Sequence, residues 1–500
     1  MIFSAQDGVL DLEALRIEVE GGRIDTVLVV ITDMQGRLSG KRMAARYLID
    51  HVLAEVDNTA VPGTGSGTGT GTRAHGAASG IVEGCDYLLA VDVDMNTVDG
   101  YQLSSWDSGY GDLVWRPDLR TLRRIPWHEG TAYLQCDVEY ADGRPVAVAP
   151  RQVLRGQLRR LAEHGWTALA ATELEFIVFN DSYEDAWRNG YAGLTPANQY
   201  NVDYSMLGTA RIEPLLRQIR LGMAGAGMEV ESAKGECNLG QHEIAFRYAD
   251  ALTTCDNHVL YKTGAKEIAA QQGRSITFMA KYDQREGNSC HIHLSLVDAT
   301  GAPVFPAGAA AGPGDPGDPG DPAGHAGHGR SAVFEHFLAG QLAALRELTL
   351  LFAPNINSYK RFAPGSFAPT AVAWGEDNRT CAMRVVGHTP RSLRAENRVP
   401  GGDVNPYLAI AGMIAGGLHG VEHELPLEPA FVGNAYADGN RPRVPRTLRE
   451  AAQLWSDSAL ARAAFGDDVV DHYANLARVE LDAFDAEVTD WERRRGFERL

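Results

Sequence analysis

The chain has 500 residues, with 46 lysines and arginines against 65 aspartates and glutamates, so its formal net charge is −19. This acidic balance argues against a nucleic-acid or anionic-membrane partner, because phosphate backbones are bound by clustered cations. Hydrophobic residues make up 44%, which is enough for a large core and argues against wholesale disorder.

The elements predicted for the first ~140 residues are mainly strands. A β-branched run at 24–33 predicts a strand that ends in a turn at Gly36, and 133–140 predicts another. Beyond this part the pattern alternates strands and helices. Pro150 opens a predicted helix at 151–164, and a strand follows at 168–179. Apolar spacing predicts further helices, which cover 211–227, 251–272, 332–352, 405–421 and two segments after Thr447.

Two glycine-rich segments, 63–72 and 308–329, lack hydrophobic periodicity. This composition is typical of flexible surface loops. We therefore expect His325 and His328, in the second segment, to be exposed to solvent rather than bound to a metal.

The six cysteines are widely spaced and form no CxxC pair. A chain of this length does not depend on disulfides, so we expect reduced thiols in the cytoplasm. The first ten residues show no basic stretch followed by an apolar run, which predicts no signal peptide. The longest strongly apolar stretch, 407–418, is shorter than the ~20 residues that a membrane span needs. We therefore predict no membrane partner.

Four predicted strands carry chemically informative side chains at every second position, which places those side chains on one face. They are Glu173 and Glu175; His291, His293 and Ser295; Gln241 and Glu243; and Arg394, Glu396 and Arg398. Carboxylates in one layer repel each other unless a cation lies among them, and hard divalent cations accept oxygen and imidazole ligands. Arginines suit a carboxylate or phosphate. The pattern predicts metal-assisted phosphate chemistry on a small acidic substrate.

Other catalytic motifs are weak or absent in the sequence. There is no GxxxxGK[ST] phosphate loop and no GxSxG elbow. The GTGSGT run has no convincing helix after it, so the pattern does not favour dinucleotide binding.

Six blocks of the sequence resemble, in order, the glutamine synthetase superfamily. They are ELEF at 173–176, ECNLGQHEIAF at 236–246, GNSCHIHLSL at 287–296, NSYKRFAPG at 357–365, NRTCAMR at 378–384, and RAENR with NPYLA at 394–409. The resemblance implies an α+β fold with a β-grasp domain at 20–141 and a larger catalytic domain at 142–500, built on an antiparallel sheet with flanking helices. It also implies a homo-oligomeric ring, usually of twelve subunits, with each site between neighbours.

The resemblance also implies a role for each matching residue. Two or more divalent ions, Mg²⁺ or Mn²⁺, are expected per subunit, with ATP as co-substrate. The first ion would be held by Glu175, Glu236 and Glu243, and the second by Glu173, His291 and Glu396. His293 and Ser295 would contact the nucleotide, Arg379 and Arg384 would neutralise phosphate charge, and Gly287, Arg361 and Arg398 would bind glutamate. Asp99 is similar to the aspartate of the family's ammonium-site loop.

The implied reaction forms γ-glutamyl phosphate from glutamate and ATP and then an amide from an attacking amine. Phe367 stands where the family's flap has a glutamate that takes a proton from ammonium, and Lys234-Gly235 replaces a pair of histidines. Tyr101 and Gln102 replace small hydroxyl residues in the ammonium loop. We therefore interpret the acceptor as an alkyl amine. The sequence resembles the ethanolamine-using branch of the actinobacterial γ-glutamyl-amine ligases, and the hydroxyl of ethanolamine would be bound by Tyr101 or Gln102.

Three alternatives remain open on the sequence. A polyamine acceptor would place its second ammonium near Glu286. An ammonia-using glutamine synthetase is the next alternative, and a catalytically inactive, nitrogen-sensing homologue is the last.

Overall fold

The computed structural model describes residues 8–54, 81–307, 329–387 and 389–500. The predicted loop at 63–72 lies outside the described residues, as does the segment at 308–329 with His325 and His328, apart from Gly329.

Strand-rich sequence in the first part of the chain forms a six-stranded sheet among the described residues, in the order β2-β1-β6-β4-β3 with β5 paired to β6. The β-branched run of β1 lies in the middle of this sheet, parallel to β6 and antiparallel to β2. Gly36 occupies the turn between β1 and β2 with φ of +79°, a conformation that favours glycine. The strands are β1 (Thr26–Thr32), β2 (Leu38–Ala44), β3 (Val82–Cys85), β4 (Asp112–Pro117), β5 (Arg123–Arg124) and β6 (Thr131–Glu139).

A nine-stranded sheet forms the centre of the remainder, in the order β13-β14-β15-β12-β7-β9-β8, with β10 and β11 paired to β7. Its pairs are antiparallel except for β13 with β14. The predicted boundary at residue 142 falls between the two sheets. The strands are β7 (Trp166–Phe179), β8 (Val230–Gly235), β9 (Gln241–Phe246), β10 (Ala249–Asp250), β11 (Ser275–Thr277), β12 (Cys290–Asp298), β13 (Trp374–Glu376), β14 (Met383–Val386) and β15 (Arg394–Asn397).

Helices surround the large sheet, and most start at a residue that the sequence marks as a cap or at a proline. They are α1 (Leu12–Glu20), α2 (Ala45–Tyr47), α3 (Pro150–Glu163), α4 (Tyr183–Arg188), α5 (Met206–Thr209), α6 (Glu213–Gly225), α7 (Ala251–Gln271), α8 (Ala332–Ala344), α9 (Thr349–Phe352), α10 (Pro406–Glu422), α11 (Leu448–Ser456), α12 (Ala459–Phe465), α13 (Asp467–Ala486) and α14 (Asp490–Gly496).

Two of the helix predictions differ from the structure. The helix predicted over 332–352 breaks after Ala344 and resumes at Thr349. At the end of this break the Leu345 carbonyl accepts from the Thr349 hydroxyl at 2.6 Å, while the Thr349 amide donates to the Arg346 carbonyl at 3.4 Å. The region after Thr447 forms four helices rather than two. Ser458 caps one new helix through the Ala461 amide at 2.9 Å, and Gly466, with φ of +84°, separates the next.

Helices α8 and α10 cross closely because glycines face each other at the contact. A Cβ at Gly420 would overlap the backbone of His336 and Gly340, and one at Gly417 would overlap the ring of Phe337. The crossing therefore depends on the absence of side chains at these positions.

A buried polar network joins the N-terminal part of the chain to helices that follow it, α3, α7 and α10. The Arg151 guanidinium, on α3, donates to Asp118 at 2.7 Å, Asp137 at 2.6 Å and Asp256 at 2.9 Å. Tyr407 on α10 donates to Asp256 at 2.6 Å. Asp118 and Asp137 belong to the N-terminal part of the chain and Asp256 to α7, so one arginine fixes three segments together.

Among the described residues no helix combines the length and the apolar character that crossing a bilayer requires.

Candidate active site

Strand β7 supplies two carboxylates to one face of the large sheet, as its alternation predicts. It lies between β12 and β9, and the register places His291 of β12 opposite Glu173, and Glu243 of β9 opposite Glu175. Directly opposed residues have Cβ atoms about 5 Å apart. Backbone pairing therefore brings together side chains that are more than sixty residues apart in the sequence.

The first cluster is centred on Glu173. His293 Nε2 lies 2.9 Å from one oxygen of Glu173, and His291 Nδ1 lies 3.4 Å from the other. His291 Nδ1 is also 3.7 Å from Glu396, which is fully buried on β15 opposite His293. Glu173, His293 and Glu396 can each place one ligand atom within 4.8 Å of the others.

The second cluster consists of Glu175, Glu236 and Glu243, each of which can also place one oxygen within 4.8 Å of the others. Glu175 is held in position by two donors, the Ser289 amide at 2.7 Å and the Gln241 side chain at 3.1 Å. Five of the six side chains predicted as metal ligands therefore fall into two neighbouring groups, in which His293 takes the place of the predicted His291. His291 contacts Glu173 and Glu396 beside the first group.

The electrostatics of both clusters fit divalent cations. Burial, followed by repulsion from Glu173, raises the pKa of Glu243 to about 8. Burial also disfavours charge on Glu173, but hydrogen bonds from His291 and His293 outweigh it and hold its pKa well below the usual range. The Nε2 atom of His291 is buried without a hydrogen-bond partner among the described atoms. A donor set of carboxylate oxygens and imidazoles is one that Mg²⁺ or Mn²⁺ accepts.

Arginines line the opposite side of the site. Arg384 Nη1 donates to Glu396 at 2.8 Å, and Arg384 also contacts Asp377. Arg398 is buried and donates to Glu396, while its other nitrogen lies 3.4 Å from the carbonyl of Phe367. Arg379 is half-exposed and lies 4.0 Å from Asp377. These cations face the cavity, where a phosphate or carboxylate would meet them.

Two cavities meet at Glu173. We call the smaller one, of about 230 Å³, the catalytic cavity. It is lined by the second cluster, by Glu173 and His291 of the first, and by Gly287, Phe367 and the three arginines. The larger, about 640 Å³, is lined by His293, Ser295 and Arg394. Arg394 donates to His293 Nδ1 at 3.1 Å and so fixes the ring that faces Glu173. The larger cavity has the size of a small-ligand site.

The catalytic cavity does not include four residues that the sequence predicts for the glutamate and amine sites: Arg361, Asp99, Tyr101 and Gln102. Gln102 lines a separate cavity with His472. Arg361 is buried, and its guanidinium donates to the carbonyls of Val399 at 2.7 Å and Arg398 at 2.9 Å. Asp99 lies on the loop between β3 and β4, where its carbonyl accepts from Asn475 at 3.1 Å. Tyr101 is buried against the ring of His472.

The structure adds residues that strand periodicity could not indicate. Asp203 and Tyr204 line the catalytic cavity from an irregular segment, and Tyr204 has a positive φ of 53°. Asp203 also lies within ligand distance of Glu236 and Cys237. An Asx-turn signal at Asn201, whose side chain accepts from the Asp203 amide at 2.8 Å, is the one local feature that could have marked this loop.

The sequence and the structure of this chain are similar to those of several known proteins. The model of the glutamine synthetase catalytic domain matches residues 147–496. The chain is 62% identical to gamma-glutamylethanolamide synthetase of Streptomyces coelicolor over 98% of its length and 96% of the relative. It is 35% identical to glutamate–isopropylamine ligase of a Pseudomonas species, with 95% of each chain covered. A solved structure of GmaS with ADP matches with a TM-score of 0.76 and 26% identity, over 97% of this chain and 99% of the other.

Proposed function

The chain belongs to the glutamine synthetase family, and we propose that it is an ATP-dependent ligase that joins the γ-carboxylate of glutamate to a small primary amine, with ethanolamine as the preferred acceptor. The observation that carries this proposal is the meeting of two cavities at Glu173, one sized for a nucleotide and one lined by carboxylates and arginines. The high identity to a gamma-glutamylethanolamide synthetase supports the choice of amine.

The proposed reaction has two steps. The γ-carboxylate of glutamate attacks the γ-phosphorus of ATP, which forms γ-glutamyl phosphate and releases ADP. The neutral amine then attacks the acyl carbon and the carbon–oxygen bond to phosphate breaks. The nitrogen loses one proton to the departing phosphate, which leaves the amide and hydrogen phosphate. Divalent cations held by the two clusters would neutralise phosphate charge and polarise the transferred phosphoryl group.

The side chains of this chain have separate tasks in these steps. Arg384 and Arg379 would offset the charge of the transferred phosphoryl group, and Arg398 would bind a carboxylate of glutamate. His293, with Arg394 behind it, and Ser295 would orient the nucleotide in the larger cavity. Arg361 would hold the backbone at Arg398 in position, because its guanidinium donates to the carbonyls of Arg398 and Val399.

The amine side of the cavity is acidic. Asp203 and Glu286 line it without belonging to the proposed metal ligands, so either carboxylate can accept the proton that the ammonium must lose before attack. Phe367 lies at the rim, half-exposed, with a positive φ of 57°. An aromatic ring here offers apolar contact to an alkyl chain, which ammonia lacks.

We extend the proposal to assembly and location. Asp99 and Gln102 would complete the site of a neighbouring subunit in a homo-oligomeric ring of twelve, with the chain divided into domains at residue 142. Exposed apolar side chains support such contacts, among them Trp106, Trp187, Met206 and Leu207, each more than 70% exposed. All six cysteines are free thiols, which supports a reducing cytoplasm.

A competition assay tests the amine assignment. Purified protein with glutamate, ATP and Mg²⁺ receives ammonia, ethanolamine, isopropylamine, putrescine and spermidine at equal concentrations, and each γ-glutamyl product is measured by mass spectrometry. We expect the ethanolamide to dominate, and Glu396→Gln to form none of the products. Dominance of glutamine would refute the alkyl-amine assignment.

A diamine is the second candidate, because Asp203 and Glu286, which are outside the proposed metal ligands, give the cavity negative charge that suits a second ammonium. Dominance of the putrescine or spermidine product would favour it. Binding of ATP and glutamate without any product would instead support an inactive homologue.

A further inference from the structure

Lys234 places an ammonium group among the carboxylates of the catalytic cavity. It stands on β8, directly opposite Glu243 of β9. Its Nζ donates to Glu236 and lies 3.8 Å from an oxygen of Glu243. The side chain is only 22% exposed, so this charge is held within the site rather than in open solvent.

The same ammonium also lies beside an aromatic face. Nζ is 5.0 Å from the centre of the Tyr204 ring, within the range of a cation–π contact. Lysine has a flexible four-carbon stem and no fixed hydrogen-bond geometry. The Lys234 ammonium can therefore leave its contacts with Glu236 and Glu243 and keep its cation–π contact with the Tyr204 ring.

Glu236 and Glu243 are two of the three carboxylates that would hold the first divalent ion. An ion and the Lys234 ammonium would compete for the same oxygens, and at about 4 Å two cations repel each other strongly in a partly buried site. We propose that Lys234 is a built-in counter-cation of this cluster. It neutralises Glu236 in the metal-free protein, withdraws towards Tyr204 when the ion binds, and thereby lowers the affinity of the cluster for divalent metal.

This inference rests on the proposed function only in assigning Glu175, Glu236 and Glu243 to a divalent ion. It adds a residue that sets the affinity of that site and that contributes no ligand atom to it. Two opposite effects follow from removing the charge at Lys234. The metal-free protein loses stability, because the Glu236 carboxylate is no longer neutralised, and the metal-binding constant rises.

The test is a titration of the full-length protein with Mn²⁺, followed by electron paramagnetic resonance of the free ion. The variants are Lys234→Met and Lys234→Gln, which remove the charge, and Lys234→Arg, which keeps it. Lys41→Met is the matched control, because Lys41 is an exposed lysine on β2 of the N-terminal sheet. Melting of each protein without metal is recorded in parallel.

We expect Lys234→Met and Lys234→Gln to bind Mn²⁺ at least about tenfold more tightly at one site per chain, and to melt at a lower temperature than the wild type without metal. Lys234→Arg and Lys41→Met should keep the wild-type binding constant within a few-fold. Unchanged or weaker binding in both neutral variants would overturn the proposal, as would an equal gain in Lys41→Met.

Glu243→Gln separates this inference from the function on which it rests. If it removes the Mn²⁺ site while the neutral Lys234 variants bind as the wild type does, the metal assignment stands and the counter-cation is refuted. If Glu243→Gln leaves Mn²⁺ binding intact, the proposed metal site itself fails, and the counter-cation fails with it.

Discussion

Replacing Glu243 by glutamine is expected to stabilise the metal-free protein while it abolishes ligation. Glu243 is 6% exposed and faces Glu175 across the β7–β9 pair. Burial and the charge of Glu173 raise its pKa from 4.5 to about 8. A glutamine of nearly the same shape keeps the packing and removes the ionisable group.

The size of the effect follows from proton linkage. Between pH 4.5 and about 8, the folded chain holds a proton on Glu243 that the unfolded chain releases. The free energy of unfolding therefore falls as pH rises through this window and levels off above it. At pH 7 the protein is roughly 2.5 pH units above the ordinary pKa of the glutamate. At about 1.4 kcal/mol per unit, the ionisable group of Glu243 therefore lowers the free energy of unfolding by an amount on the order of 3 kcal/mol.

The assay is thermal melting of the metal-free wild type and Glu243→Gln from pH 5 to pH 9, with chelator present. We expect the variant to melt a few degrees higher at pH 8, and the difference to shrink towards pH 5. Glu335→Gln, at an exposed helix position, serves as the control and should show no such trend. Excess Mg²⁺ should stabilise the wild type more than the variant. A variant that melts at or below the wild type, with a difference independent of pH, would refute the reasoning.

Three further predictions concern the nucleotide side and the scaffold. Arg394→Ala should raise the KM for ATP about tenfold with a smaller change in kcat, because His293 loses the donor that fixes it; an unchanged KM would contradict this. Arg151→Met should destabilise the protein by about 3–5 kcal/mol in denaturant unfolding, because three aspartates lose their shared cation. Gly420→Ala should cost about 1–3 kcal/mol in the same measurement, since its methyl group overlaps the His336 backbone. Wild-type stability in either scaffold variant would contradict the packing argument.

The part of the site that lies on strands could be predicted from the sequence, because alternation at Glu173 and Glu175 states which side chains share a face. The pairing of Glu173 with His291, and of Glu175 with Glu243, could be expected only through the family resemblance, since register depends on contacts between distant segments. The loop contribution of Asp203 and Tyr204 could not be predicted, because irregular backbone carries no periodic signal.

The fold, like the site, has parts that the sequence could predict and parts that it could not. The helix α7 was predicted over 251–272 and spans Ala251–Gln271, so the prediction differs from the structure by one residue. The break after Ala344 was missed, because the apolar pattern continues across 345–348, where the backbone leaves the helix. The role of Arg361 as a glutamate contact stays a prediction, because its guanidinium is engaged with backbone carbonyls in this chain.

Strand β7 and its partner strands set the spacing of the groups in the site. This has a consequence for how the amine specificity of such enzymes can evolve. Five of the six proposed metal ligands, all except Glu236, lie on strands and are spaced by the hydrogen-bond repeat of the sheet, so they tolerate almost no shift in position. The groups proposed to meet the amine, Asp203, Tyr204 and Phe367, stand on irregular segments that can be altered singly. Substitutions in these loops can therefore change which amine is used, while the strand-borne groups of the phosphoryl-transfer step stay the same.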